Sequence, residues 1–258
     1  MSGGGQDEHL FVTGTSGAIG GALARALRRR HPAARLTLVD VSEAPSRALA
    51  AELGGAVDVA ACDLADTDAA LRVLDDARAR FGAPTGLVNC AGIMEVRRFD
   101  QLPWRRAQAL LAIDMLSPLA LMHAAVADMR AARRGFVVNV ASMAGKVTLP
   151  GCAFYGAAKA GLSMASEIAR RELAPAGVHV VTVYPGAVAS ALESRARDQY
   201  GRTLLTRLVP TGRPDVLARK IVAALDARRA RVVYPSFYSL GLLSVAGPIA
   251  LAVGPSAK

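Results

Sequence analysis

Short apolar runs alternate with longer amphipathic stretches along most of the chain. His9–Thr13 (HLFVT), Arg35–Asp40 (RLTLVD), Ala56–Leu64 (AVDVAACDL), Gly86–Gly92 (GLVNCAG), Phe136–Ala141 (FVVNVA), Val178–Tyr184 (VHVVTVY) and the short Arg231–Tyr234 each read as a buried strand. Between them lie segments whose apolar residues recur at helical spacing: ALARALRRR ending at Arg30, Glu43–Leu53, Asp66–Phe81 with Asp66 as cap, Pro103–Arg134 with a bend expected at Pro118, Phe154–Leu173 and Pro214–Arg229. Regular strand–helix alternation predicts an α/β fold: a Rossmann-like, doubly wound parallel sheet of about seven strands with helices on both faces.

Two stretches break this rhythm. Ala187–Gly212 is polar and weakly periodic, and is expected to act as a lid. Ser236–Gly254 carries no charge, but Gly241, Gly247 and Pro248 interrupt it, which argues against a membrane span. The expected layout is a flexible N-terminus (1–8), one nucleotide-binding domain (9–235) and an apolar tail (236–258). The tail either packs over the substrate pocket or a partner subunit, or makes peripheral membrane contact.

With 52% hydrophobic residues in 258, the chain can bury one large core. Net charge is +10, but the basic residues fall in short clusters (Arg28–Arg30, Arg133 and Arg134, Arg170 and Arg171, Arg228–Arg231) near predicted helix ends, where they complement the helix dipole. With no long basic run and no interleaved aromatics, no nucleic-acid partner is expected. Cys62, Cys90 and Cys152 are too scattered for a metal site or a disulfide framework, and a reducing, cytoplasmic setting is the expectation.

The candidate chemistry sits at the strand ends. Gly14-Thr-Ser-Gly17-Ala-Ile-Gly20 follows the first strand and opens a helix, an arrangement that brings backbone N–H groups close to a pyrophosphate. Asp40 ends the second strand, where a carboxylate accepts from adenosine ribose hydroxyls and repels a 2′-phosphate. Val41, Ser42 and Glu43 supply no cation, so NAD is expected over NADP. Ser142 ends the fifth strand, and Tyr155 stands one helical turn before Lys159, so ammonium and phenol share a face. A cation there lowers the phenol pKa and makes it a usable base.

In this order, TGTSGAIG (Thr13–Gly20), Asp40, Asp63-Leu64, NCAG (Asn89–Gly92), Ser142, Tyr155-x-x-x-Lys159 and Pro185-Gly186, the chain resembles the short-chain dehydrogenase/reductase family up to about Pro235. The resemblance implies that Gly14, Ser16, Gly17, Ala18 and Gly20 hold the pyrophosphate and Ile19 the nicotinamide end. It implies that Asp40 binds the ribose and Asp63 and Leu64 the adenine edge. Asn89, Ala91 and Gly92 would shape the central groove, Pro185, Gly186 and Val188 would border the nicotinamide, and Ser190 would stand where the family often has threonine. Tyr155 would be the general acid/base, Lys159 would bind the nicotinamide ribose, and Ser142 would orient the reacting oxygen. The implied activity is hydride transfer between NAD(H) and a secondary alcohol or ketone, with assembly as a dimer or tetramer through the two long helices.

Two positions depart from the pattern. Ala18 replaces a glycine, so Gly14, Gly17 and Gly20 have the spacing of the family's longer branch, whereas NCAG and the chain length favour the short one. Asp114 stands where the family has an asparagine in its proton relay; it is a catalytic candidate, and if buried near Lys159 it would form an ion pair that leaves the lysine less effective in lowering the Tyr155 pKa. Met94, Met143, Leu149, Cys152 and Phe154 are the expected substrate lining, with Arg195, Arg197 and Arg202 in the lid. Their apolar character points to a lipophilic substrate of steroid, retinoid, polyketide or acyl type. The competing function is a dinucleotide-binding sensor without turnover, for which Asp114 is the only support.

Overall fold

The computed structural model describes residues 8–200 and 211–237. Seven strands, β1 (His9–Thr13), β2 (Arg35–Asp40), β3 (Val57–Ala61), β4 (Gly86–Asn89), β5 (Gly135–Val140), β6 (Val178–Pro185) and β7 (Arg231–Tyr234), form one sheet in the order β3-β2-β1-β4-β5-β6-β7. Every pairing is parallel. Side chains alternate between faces, as the strand repeat requires. Leu10 and Val12 pack under α1 (Ala18–Arg30), α2 (Glu43–Leu53) and α8 (Pro214–Asp226). Phe11, Leu87 and Val137 pack under α3 (Thr67–Phe81), α5 (Ser117–Ala131) and α6 (Ala153–Leu173). In α1, Leu23 and Leu27 are fully buried and Arg28–Arg30 cluster in the last turn. Each such leucine contributes about 1.5–3 kcal/mol.

Three local expectations shift. β4 ends at Asn89, and Cys90–Gly92 leave the sheet, because the Thr13 hydroxyl accepts the Cys90 and Ala91 N–H groups at 3.1 and 3.2 Å in place of a ladder partner. The bend expected at Pro118 lies one turn earlier, as a π-helical segment at Ala112–Leu116 between α4 (Trp104–Leu111) and α5. Proline has no N–H to return to the carbonyl four residues back, which belongs to Asp114, and its ring crowds that carbonyl; the helix widens there. The stretch expected as an irregular lid contains α7 (Ala191–Tyr200), which buries Ala196 and Tyr200 one turn apart. Arg202 and most of the apolar tail, including Gly241, Gly247 and Pro248, lie outside the described residues, as do residues 1–7.

The strand order reverses between β1 and β4. In such a sheet the crevice beyond the carboxyl ends of these two strands is the ligand-binding position. Gly14, from β1, and Ala91, from β4, meet there: a Cβ on Gly14 would lie 2.6 Å from the Ala91 nitrogen. Gly14 also has φ +75°, so glycine is required both for its conformation and for this close approach.

Candidate active site

The turn after β1 spends its own N–H groups within the fold and leaves those of the first turn of α1 uncapped. Gly14 donates to Val39 O at 2.8 Å, and its own carbonyl takes the Gly17 N–H at 3.1 Å. A Cβ on Gly20 would sit 2.0 Å from that carbonyl oxygen, so the turn closes only over glycine. No side chain caps the start of α1 at Gly17. Ser16, Gly17 and Ala18 are exposed, and Ile19 is half-buried beside them. Uncapped first-turn N–H groups at an exposed, glycine-lined turn suit a diphosphate.

Asp40 is buried at the end of β2. One carboxylate oxygen accepts the Ser16 N–H at 2.9 Å and the other the Ser42 N–H at 3.0 Å. Each oxygen keeps lone-pair capacity for a further donor. Asp63 is exposed and takes the Ala65 N–H at 2.9 Å. Leu64 turns its side chain into the core, and its carbonyl accepts from Ser117 at 2.7 Å. Asn89 lies beneath the groove: its amide donates to Pro118 O (2.9 Å) and to Asn139 (2.8 Å), which in turn donates to Ser166 (2.8 Å). This buried chain ties β4 and β5 to α5 and α6. Pro185 closes β6, and Gly186 donates to Tyr234 O at 2.8 Å. Val188 is buried in a bridge to Gly212. The Ser190 hydroxyl accepts the Glu193 N–H at 3.1 Å and so caps α7.

Ser142, Tyr155 and Lys159 converge. Ser142 leaves β5 and its hydroxyl accepts the Ala144 N–H at 3.1 Å, which sets the short turn Met143–Gly145. That turn presses on α6: a Cβ on Gly145 would lie 2.7 Å from the Ala160 nitrogen. Gly145 thus lets Ser142 stand beside the Tyr155 hydroxyl, whose pKa it acts to lower. Sequence reading missed Gly145, because only the distant backbone of α6 makes glycine necessary.

Lys159 is 4% exposed and donates to Val140 O at 3.1 Å, with its Nζ 5.9 Å from the Tyr155 ring centre. Asp114 is fully buried in the π-helical segment. Its Oδ1 accepts the Ile93 N–H at 2.8 Å, and its Oδ2 faces Lys159 Nζ at 3.5 Å. Gly92 lies over both: a Cβ there would be 3.2 Å from Nζ and 3.3 Å from Oδ1. Burial raises the Asp114 carboxyl to about 6, against the opposing pull of Lys159 and of the Ile93 N–H. Burial also raises the Tyr155 phenol well above its ordinary value; Asp114 adds to this, and Ser142 opposes it. The direction is opposite to that expected from the Lys159 charge alone: burial dominates, and the Asp114 carboxylate, which also faces Lys159, pushes the same way.

Met94, Leu149, Phe154 and Cys152 pack in one apolar cluster with Tyr155, Val96, Leu110, Ala196 and Tyr200. Met143 does not join them; it packs with Ala141, Tyr184 and Val233 on the side toward β7. Sequence reading also missed what α7 contributes. Tyr200 donates to Pro150 O at 2.8 Å and meets the Cys152 thiol at 2.9 Å, while Gln199 accepts the Val96 N–H at 2.8 Å. The helical spacing of Ala196 and Tyr200 was the available signal. Burial raises the Cys90 thiol to about 12 and the Cys152 thiol to about 11, which leaves both poor nucleophiles.

Comparison with known proteins identifies the family and the fold. Residues 8–201 match the family model for short chain dehydrogenase. The chain is 34% identical to D-threitol dehydrogenase of Mycolicibacterium smegmatis, over 84% of this chain and 85% of that one. A metagenomic short-chain oxidoreductase solved in complex with NADP superposes with a TM-score of 0.72 at 30% identity, covering 88% of this chain and 96% of that chain. A short-chain dehydrogenase from Sphingobium yanoikuyae, in complex with NADPH, gives 0.78 at 26% identity over 97% and 98%.

Proposed function

The chain belongs to the short-chain dehydrogenase family, and from that premise we propose that it is an NAD(H)-dependent oxidoreductase interconverting a secondary alcohol and its ketone, with Tyr155 moving the proton. The observation that carries this reading is the convergence of Ser142, Tyr155 and Lys159 beside the crevice where the strand order reverses. The residues present fit a nicotinamide dinucleotide: an uncapped helix start, glycines whose Cβ would collide with backbone, and a buried carboxylate with free lone pairs. That cofactor supplies or takes the hydride. Gly14 to Gly20 would hold its diphosphate, Asp40 its adenosine ribose, and Tyr155 with Lys159 its nicotinamide ribose. Ser142 orients the substrate oxygen, and the Tyr155 hydroxyl gives that oxygen a proton in reduction or takes one in oxidation.

Two of the similar structures contain NADP or NADPH. NAD is favoured for this chain by Asp40, whose carboxylate would lie against a 2′-phosphate with no cation among Val41, Ser42 and Glu43. A lipophilic substrate is favoured by the apolar cluster that packs Met94, Leu149 and Phe154 with Tyr155. The likeness to a D-threitol dehydrogenase supports a second reading, a short polyol. A panel holding both classes separates them. Exposed Leu116, Met164 and Ile168 on the long helices support a homo-oligomer built through those helices. The free cysteines fit a reducing, cytoplasmic setting.

The test is Tyr155→Phe. Turnover should fall by at least about 100-fold, the lower end of what a positioned acid/base supplies, while NADH still binds. Retained turnover would move the chemistry to another group. Wild-type protein that binds NADH but consumes none of it with any alcohol or ketone would favour a sensor.

A further inference from the structure

We infer that Asp114 neutralises Lys159 and thereby keeps Tyr155 protonated, biasing the site toward carbonyl reduction at neutral pH and deferring alcohol oxidation to alkaline pH. This rests on the reading of Tyr155 as the proton-transfer group. A lysine lowers a neighbouring phenol's pKa only to the extent that its positive charge is uncompensated. Here the ammonium and the carboxylate are both buried and 3.5 Å apart. In a site of low dielectric the phenol therefore sees a nearly neutral pair in place of a cation.

The details of the pair support a charged carboxylate that acts through Lys159. Oδ1 is occupied by the Ile93 N–H. Among the described residues no donor makes a hydrogen bond to the buried Oδ2, and what it faces is Lys159. An amide in this place would turn a donor toward the ammonium and carry no charge.

The other groups around Tyr155 do not replace the missing cation. Ser142, just after β5, is neutral, and its effect on the phenol pKa is to lower it. Cys152, before α6, has its thiol raised to about 11 and stays protonated. Glu193, on α7, adds negative charge, and Arg197 holds it at 2.6 Å. On the Lys159 side, Cys90 keeps its proton as well. The balance of the reaction then sets the preferred direction. In reduction a hydride from the reduced nicotinamide reaches the carbonyl carbon, the Tyr155 O–H bond breaks, and an O–H bond forms on the new alcohol. Oxidation needs the phenolate at the outset. A phenol that keeps its proton is ready for the first reaction and not for the second.

Asp114→Asn tests this. Tyrosinate absorbance is titrated in the absence of substrate, and the Tyr155 signal is isolated by subtracting the Tyr155→Phe protein in each background. The midpoint should fall by at least about one pH unit, equivalent to about ten-fold more phenolate at a given pH below both midpoints. The alkaline rise of the oxidation rate should move to lower pH by the same interval, and the ratio of reduction to oxidation at neutral pH should fall. Asp114→Ser, also neutral, is the second variant should the amide fail to fold. An unmoved midpoint in the folded variants overturns the inference, whatever happens to turnover. Turnover surviving Tyr155→Phe overturns the functional reading instead, so the two failures are distinguishable.

Discussion

Substituting Gly20 by alanine separates a steric demand from a conformational one. The added Cβ would stand 2.0 Å from the Gly14 carbonyl oxygen and 2.7 Å from its carbon. That oxygen cannot retreat cheaply. It accepts the Gly17 N–H at 3.1 Å, and its residue is held by the hydrogen bond of its N–H to Val39 O at 2.8 Å, with no room for even a Cβ between it and the Ala91 backbone. Relief requires moving the turn by about 1 Å or more. Overpacking against rigid neighbours costs about 1–3 kcal/mol, and in a chain of this size each kcal/mol lowers Tm by about 2–4 °C, so a fall of about 2–12 °C is expected. Displaced N–H groups should weaken NADH binding at the same time. Two controls calibrate the result. Gly17→Ala places its Cβ 3.2 Å from the same oxygen, so a small adjustment suffices and less than about 1 kcal/mol is expected. Gly54→Ala meets nothing within 4 Å but has φ +60° with ψ −179°, a region essentially restricted to glycine, so it should lose about 1–3 kcal/mol to backbone strain while binding NADH normally. Thermal melts by circular dichroism and NADH fluorescence titration read both quantities. A Gly20→Ala protein with wild-type Tm and wild-type NADH affinity would refute the steric account of the turn.

The remaining expectations concern cofactor choice and the element over the site, beside those already stated for Tyr155 and Asp114. Asp40→Ala removes a charged acceptor, and hydrogen bonds to charged groups are worth about 1.5–3 kcal/mol each. NAD⁺ affinity should fall about ten-fold or more while NADP⁺ affinity holds or rises; equal affinities in the unmodified protein would remove the argument from Asp40. Tyr200→Phe strips the hydroxyl that donates to Pro150 O and meets the Cys152 thiol, leaving buried groups unpaired at about 1–3 kcal/mol. α7 should then become more susceptible to limited proteolysis and KM should change more than kcat; unchanged cleavage and KM would show that this contact does not hold α7.

The strands, the helices and the glycine turn were readable because their causes are local. Alternation at β1 or helical spacing in α1 is set by which face is buried, and Tyr155 and Lys159 share a face because four residues span one turn. The π-helical segment was half readable: Pro118 marked the disturbance, but the freed carbonyl that answers it lies one turn upstream. Ser190 and Met143 show the opposite case. A hydroxyl that the resemblance places toward the nicotinamide also caps α7, and a methionine beside Ser142 packs toward β7, since either orientation is compatible with the same residues in sequence.

By itself, then, the sequence determined the order of elements, the glycine turn and the shared face of Tyr155 and Lys159, which follow from hydrogen bonding and periodicity within a few residues; the parallel sheet followed from strand–helix alternation, and Ser142 joined the set through the resemblance to a family. Only the tertiary structure decided that Gly145 must yield to the backbone of α6, that α7 packs onto Tyr155, and that the Lys159 charge is paired with Asp114. Such outcomes depend on distances between segments far apart in the chain. In a buried site they also depend on the sum of all nearby charges, so identifying the lysine did not reveal the net field at the phenol.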